Sequence, residues 1–249
     1  MPETTALIAT FLIGTIASFI GSMVGSGGLI SIPFLIFVGL PPQVAIATNK
    51  MGAVGLSLGA IVKFWKTGKI LWKYVPLFTL ISLGSAYVGA NILLNINERI
   101  LTIIVGVILL LMLPLLLIKK NVGVENNEVS KTKRIIGYFL YFLVMVFGGF
   151  FGGGGGTLIL YTLMIFFGLT IIEANATDII PWFLLSLASL IIFAVNGIVD
   201  YGLGIALFVG MLVGGYLGAH TAVKKGNAWV KVVFAIVVVI SSVKLLFFS

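Results

Sequence analysis

Two short stretches put polar chemistry into a chain that is otherwise apolar. Phe150 to Ile159 reads FFGGGGGTLI, with five consecutive glycines, and Gly25-Ser26-Gly27-Gly28 is a shorter version near the N-terminus. Glycine weakens a helix interior by about 0.5–1 kcal/mol relative to alanine. At membrane depth, irregular backbone is tolerated only where it is buried in protein or lines a cavity. Bare amides at the start of a short apolar helix, where the dipole is positive, instead make an anion site. Gly25, Gly27 and Gly28, with Gly154, Gly155 and Gly156, are therefore the expected substrate-binding tips. Isolated glycines such as Gly84 and Gly89 are better explained by close helix packing.

The second pattern is AIATNK, Ala45 to Lys50, matched by ANATDI, Ala174 to Ile179. Thr48, Asn49 and Thr177 are added to the expected binding set, because they bring hydrogen-bonding groups into hydrocarbon. Asp178 is the candidate for coupling, since an intramembrane carboxyl can take up and release a proton. Its alternative reading is a cap on a helix starting at Thr177. Pro181 clashes with the Thr177 carbonyl in a regular helix, which predicts a break there. Lys50 either supplies positive charge to an anion or snorkels to the outer surface, and the second is favoured. Glu173 is expected to be interfacial, and His220 structural.

The elements that must carry these residues follow from composition. With 249 residues, 60% hydrophobic and 9% charged, the chain has too little polar surface for a soluble domain and is an all-α integral membrane protein. Fifteen Lys and Arg exceed seven Asp and Glu, yet most lie in short connections between apolar runs, which points to membrane topology and away from nucleic acid. Membrane lipid is the surrounding partner. No cysteine and one histidine leave no basis for a metal or redox centre, and no cofactor is expected. The N-terminus reads as a first membrane helix with no signal peptide before it.

The chain contains itself twice. Gly25–Asn49 and Gly154–Asp178 align without a gap at an offset of 129, with eleven of twenty-five positions identical. The same offset pairs Ser57 with Ser186, Phe64 with Phe193, Gly68 with Gly197, and Tyr87 with Tyr216. Residues 1–118 and 135–249 are thus two membrane repeats joined by a polar cytoplasmic linker, 119–134. Each divides into five apolar segments, 5–24, 28–39, 42–66, 74–95 and 98–118, then 135–151, 157–168, 171–196, 202–223 and 228–248. These give about 8–10 membrane segments, allowing for the second of each set, which at ~1.5 Å per residue is too short to span and should fold back as a Gly-rich helical hairpin.

Corresponding connections carry opposite charge signals. Lys63, Lys66, Lys69 and Lys73 crowd one, and its mate holds only Asp200; Glu98 and Arg99 occupy the next, and its mate holds Lys224, Lys225 and Lys231. The repeats are accordingly expected to be inverted, with the linker inside and both termini outside. Inverted repeats with broken helices near the midplane are the architecture of secondary transporters.

In order and spacing, GSGGLISIPFLIFVGLPPQVAIATNK followed by GKILW, and then a degenerate second copy, resembles the TauE/SafE sulfite-exporter family of membrane permeases. The resemblance covers essentially the whole chain. It implies transport of small sulfur-containing anions of the sulfite, sulfonate or sulfoacetate type across a prokaryotic inner membrane. By position it carries over to Gly25, Gly27, Gly28, Thr48 and Asn49, and by the repeat to Gly154, Gly155, Gly156, Thr177 and Asp178. Two departures are Ser26 within the first tip and Thr162 where the first half has Pro33.

The expected function is a secondary carrier working by alternating access, with proton coupling through Asp178. The alternative is a passive anion channel of the same architecture. An intramembrane enzyme would need a nucleophile with a base or a metal cluster, for which the sequence offers no set of residues. Homo-oligomerisation is left open, as are the exact substrate and the direction of transport.

Overall fold

The computed structural model describes residues 3–25, 27–97, 100, 122–234 and 236. Its elements are α1 (Glu3–Val24), α2 (Gly28–Val38), α3 (Pro42–Phe64) with a 3-10 turn Trp65–Thr67, α4 (Val75–Asn95), α5 (Lys131–Phe150), α6 (Gly155–Phe167), α7 (Ile171–Val195) and α8 (Tyr201–Lys225). Residues 227–234 are also helical. Among the described residues six helices, α1, α3, α4, α5, α7 and α8, are long and apolar enough to cross a membrane, and no named strand forms. The expected fifth segments, 98–118 and 228–248, fall largely outside the described residues, as do Glu98 and Arg99.

The local chemistry explains most boundaries. Ser130 accepts a hydrogen bond from Lys133 N at 3.3 Å and caps α5, which therefore begins at Lys131 rather than 135. Residues 122–127 are docked rather than free: Ile171 N donates to Gly123 O at 2.8 Å and Asn127 N to Gly168 O at 2.9 Å. At the start of α7, Thr170 and Glu173 form a reciprocal capping box, so Glu173 caps its own helix. No helix starts at Thr177, which removes the capping alternative for Asp178. The break expected at Pro181 is also absent, since α7 runs from Ile171 through Pro181 to Val195. The short helices α2 and α6, of 11 and 13 residues, each follow a glycine tip and end at a left-handed glycine, Gly39 or Gly168.

Packing crosses the sequence repeat. α8 lies along α1 and α3, and α4 lies along α5 and α7. Equivalent elements thus make equivalent contacts, with the fourth helix of each repeat seated on the other. Small residues allow this approach: a Cβ on Gly59 would lie 2.1 Å from Leu212 O, one on Gly210 2.2 Å from Phe11 O, and one on Gly214 2.1 Å from Thr15 O. In the other group, a Cβ on Gly89 would sit 2.4 Å from Val146 O. Backbone-to-backbone contact of this kind supplies dispersion and packing where hydrocarbon offers no hydrophobic drive between helices.

Gly59→Ala is expected to force α3 and α8 apart and to lower stability by about 1–3 kcal/mol. Gly84→Ala, on α4 with nothing within 4 Å of the added carbon, should be neutral or raise stability by up to ~1 kcal/mol through helix propensity. Thermal unfolding in detergent checks both, and equal effects would remove the packing explanation.

Candidate functional site

The two glycine tips meet. Gly25 has φ 77° and Gly152 and Gly154 have φ 79°, a region where other residues are strained. A Cβ on Gly25 would lie 2.3 Å from the carbonyl carbon of Gly156, and one on Gly28 would lie 3.0 Å from Gly153 Cα. Thr157 Oγ1 donates to Val24 O at 2.9 Å across the same junction. No side chain caps α2 at Gly27 or α6 at Gly154, so the first turns of both helices meet the junction with bare backbone.

Beside the junction is a cavity of about 50 Å³, several times the ~10–15 Å³ that a single water needs. One part of its wall is glycine: Gly25, Gly27, Gly28, Gly152 and Gly156. A second part is polar: Asn49, Lys50, Asn175 and Asp178. The remainder is apolar and includes Leu56, Leu160, Trp182 and Met211.

Lys50 is the residue whose placement departs most from expectation. It does not snorkel. Its side chain is only 1% exposed, and its ammonium donates to the carbonyl of Gly148, in the last turn of α5, where the dipole is negative. The ammonium also lies 6.0 Å from the centre of the Trp182 ring, within cation–π range. No ion pair forms at Lys50 among the described residues. A Cβ on Gly152 would come to 3.3 Å from Nζ, so the second tip leaves the ammonium room.

The other polar groups are held from behind. Ser31 Oγ donates to Asn49 Oδ1 at 2.5 Å, which leaves the Asn49 amino group for other partners. Tyr141 OH donates to Asp178 Oδ1 at 2.6 Å, and the buried Tyr141 ring stacks on Phe78 with centroids 4.3 Å apart. Asn175 Nδ2 donates to Ser22 O.

The structure thus brings Gly25, Gly27, Gly28, Asn49, Lys50, Gly156 and Asp178 to one cavity. It places Thr48 and Thr177 elsewhere. Thr48 Oγ1 accepts from Asp200 N and Thr177 Oγ1 from Leu71 N, each at 3.0 Å. The two bonds are related by the 129-residue offset, and they attach each threonine to the connection that enters a fourth helix. Gly154 and Gly155 are also outside the wall; Gly154 is the α6 N-cap and Gly155 packs near Trp182. Asn175, Trp182, Tyr141 and Ser31 are additions. Asn175 stood in the ANATDI repeat, one helical turn before Asp178, where the spacing alone puts it on the same face. Tyr141 carried no such signal.

An all-helical multi-pass membrane protein with a buried polar cavity between paired helix starts is of the membrane transporter class. The sequence profile of the sulfite exporter TauE/SafE family matches residues 10–245, and the chain belongs to that family. It is similar to a probable membrane transporter protein of Haemophilus influenzae, 26% identical over 97% of this chain and 94% of the relative. It is 27% identical to a probable membrane transporter protein of Sinorhizobium, ORF9, over 95% and 90% of the two chains. It is 25% identical to the probable membrane transporter protein YfcA of Escherichia coli K12, over 96% and 89%. No solved structure matches the chain significantly.

Tyr141→Phe keeps the ring stacked on Phe78 and removes the donor to Asp178. Loss of a buried hydrogen bond to a carboxyl should cost about 1–3 kcal/mol, read as a lower unfolding temperature. In an Asp178→Asn background the same substitution should cost less, and an unchanged cost would mean that the pair does not interact.

Proposed function

We propose that this transporter is a secondary carrier for a small sulfur-containing oxyanion, bound in the cavity where the two glycine tips meet. The observation that carries the reading is the Lys50 ammonium, buried without an ion pair beside two uncapped helix starts. A lone cation in hydrocarbon is costly, and a transported anion supplies the missing charge. Backbone amides of α2 and α6, the Asn49 amino group and Lys50 together form a donor set suited to an oxyanion. The family's description as sulfite exporters supports sulfite, sulfonate or sulfoacetate as the substrate class.

Alternating access between inverted repeats is the mechanism these features favour. In its support, α1 with α8 repeats as α5 with α4, and the Thr48–Asp200 bond repeats as Thr177–Leu71. The charge asymmetry of matched connections favours inversion, with both termini outside a prokaryotic inner membrane. Asp178 shares the cavity with Lys50 and is the proposed site of proton coupling. Thr48, Thr177, Gly154 and Gly155 act indirectly, by holding the elements that form the wall.

Flux of labelled sulfite in proteoliposomes, with and without an imposed pH gradient, tests this reading. Gradient-driven, exchangeable flux is expected, and Asp178→Asn should abolish its gradient dependence. Lys50→Met should reduce flux about 10- to 100-fold, the cost of losing one charge-assisted contact to an anion. Flux that follows voltage and ignores both the gradient and unlabelled substrate would identify a channel instead. No sulfite movement under any gradient would remove sulfite, and screening would pass to sulfonates.

A further inference from the structure

The packing separates the eight helices α1–α8 into two groups that are not the two sequence repeats. One group is α1, α2, α3 and α8; the other is α5, α6, α7 and α4. Within the first, α8 touches α1 and α3 through backbone. A Cβ on Gly55 would lie 2.3 Å from Phe208 O, and one on Gly215 2.4 Å from Leu56 O, in addition to the contacts at Gly59, Gly210 and Gly214. Within the second, α4 is held by the Gly89 approach to α5 and by stacking of Phe78 on Tyr141, with Phe78 also edge-on to Phe167 at 5.2 Å. Between the groups, contact is concentrated at the crossing of α3 with α7 and at the glycine tips.

The site is divided along the same line. Gly25, Gly27, Gly28, Asn49 and Lys50 belong to the first group, and Gly152, Gly156, Asp178 and Trp182 to the second. Ser31 to Asn49 and Tyr141 to Asp178 are bonds within a group, whereas Lys50 to Gly148 and Asn175 to Ser22 cross between the groups and are the contacts that relative movement would have to exchange.

Only two described connections lead from one group to the other at a fourth helix, residues 65–74 and 196–200. Each holds a left-handed glycine, Gly68 at φ 68° and Gly197 at φ 70°, and a Cβ on either would meet nothing within 4 Å. Their positive φ is therefore required by the backbone path alone. Past each glycine the chain is fastened at once to its new group: Leu71 N to Thr177, and Asp200 N to Thr48.

We propose that the units that move during transport are these exchanged groups, α1–α2–α3–α8 against α4–α5–α6–α7, flexing at Gly68 and Gly197, with Thr48 and Thr177 as positioning residues that anchor the exchanged helices. The inference rests on the alternating-access reading. It also requires that α3 and α8, although from different repeats, never separate.

A disulfide between α3 and α8 decides the matter. A Cβ on Gly204 would lie 3.7 Å from Met51 Cβ, close to the ~3.8 Å mean of native disulfides. The chain has no other cysteine to interfere. The readouts for Met51→Cys/Gly204→Cys are sulfite flux and, with Ala53→Cys added in the cavity wall, labelling by a membrane-impermeant maleimide from each side in turn. We expect the oxidised pair to keep the flux of the reduced pair and Ala53→Cys to remain reachable from both sides. Oxidation that stops flux and confines labelling to one side, with reduction restoring both, would show the sequence repeats moving against each other and overturn the proposal. Failure of the pair to oxidise would do the same, since it would show that α3 and α8 are not held together. One-sided labelling even in the reduced protein would instead sink the alternating-access reading, and two-sided labelling without sulfite flux would sink only the substrate. As a second arm, Gly68→Ala with Gly197→Ala should lower maximal flux about tenfold and shift KM with it, as hinge substitutions often do; unchanged maximal flux would remove the glycines from the role.

Discussion

A lysine ammonium in the middle of an apolar bundle is the constraint that most of this structure answers to. Moving a charge to the centre of a helix in hydrocarbon costs about 2.5–3.5 kcal/mol on insertion scales, and Lys50 is buried. Its ammonium donates to a carbonyl at the end of α5, and the glycine of the second tip keeps bulk away from it. The Lys50 side chain thus reaches from α3 of the first repeat to the end of α5 and the glycine tip of the second, so the position of one charge ties the two repeats together. The polar wall around it, with Asn49, Asn175 and Asp178, answers the same demand by giving the ammonium polar surroundings.

The glycine tips solve a related problem. Helix starts have amides without intrahelical partners, and ordinarily a serine, threonine or aspartate would cap them. At Thr170, Ser130 and Asp200 such caps are present. At Gly27 and Gly154 they are not. The starts of α3 at Pro41 and α4 at Tyr74 also lack a side-chain cap, but only at α2 and α6 do two uncapped starts meet at one junction beside the cavity. Glycine also permits the close contact of Gly25 with Gly156, which any side chain would prevent.

Much of the architecture was legible because membrane and repeat constraints act on local sequence. Apolar length marks spans, glycine runs mark tips, and a 129-residue offset marks mates, so the helices and the pairing of Asn49 with Asp178 could be read directly. Local rules failed where a partner from elsewhere decided the outcome. Lys50 looked like a snorkelling residue because its partner, Gly148, is 98 residues away. Thr48 and Thr177 shared a motif with site residues, yet each is bonded to a connection from the other repeat and does not line the cavity. Pro181 does not end α7, since a packed environment can absorb a proline that an isolated helix would not.

Composition and periodicity by themselves determined that this is a helical membrane protein made of two related halves, each with a glycine tip, because those properties depend on what each segment must do in a bilayer. Only the tertiary structure decided which helices pack together, which polar residues share a cavity, and that Lys50 rather than the threonines faces it. The physical reason is that burial and hydrogen-bond satisfaction are settled between segments distant in the chain, and α4 and α8 reach their places by crossing to the other repeat.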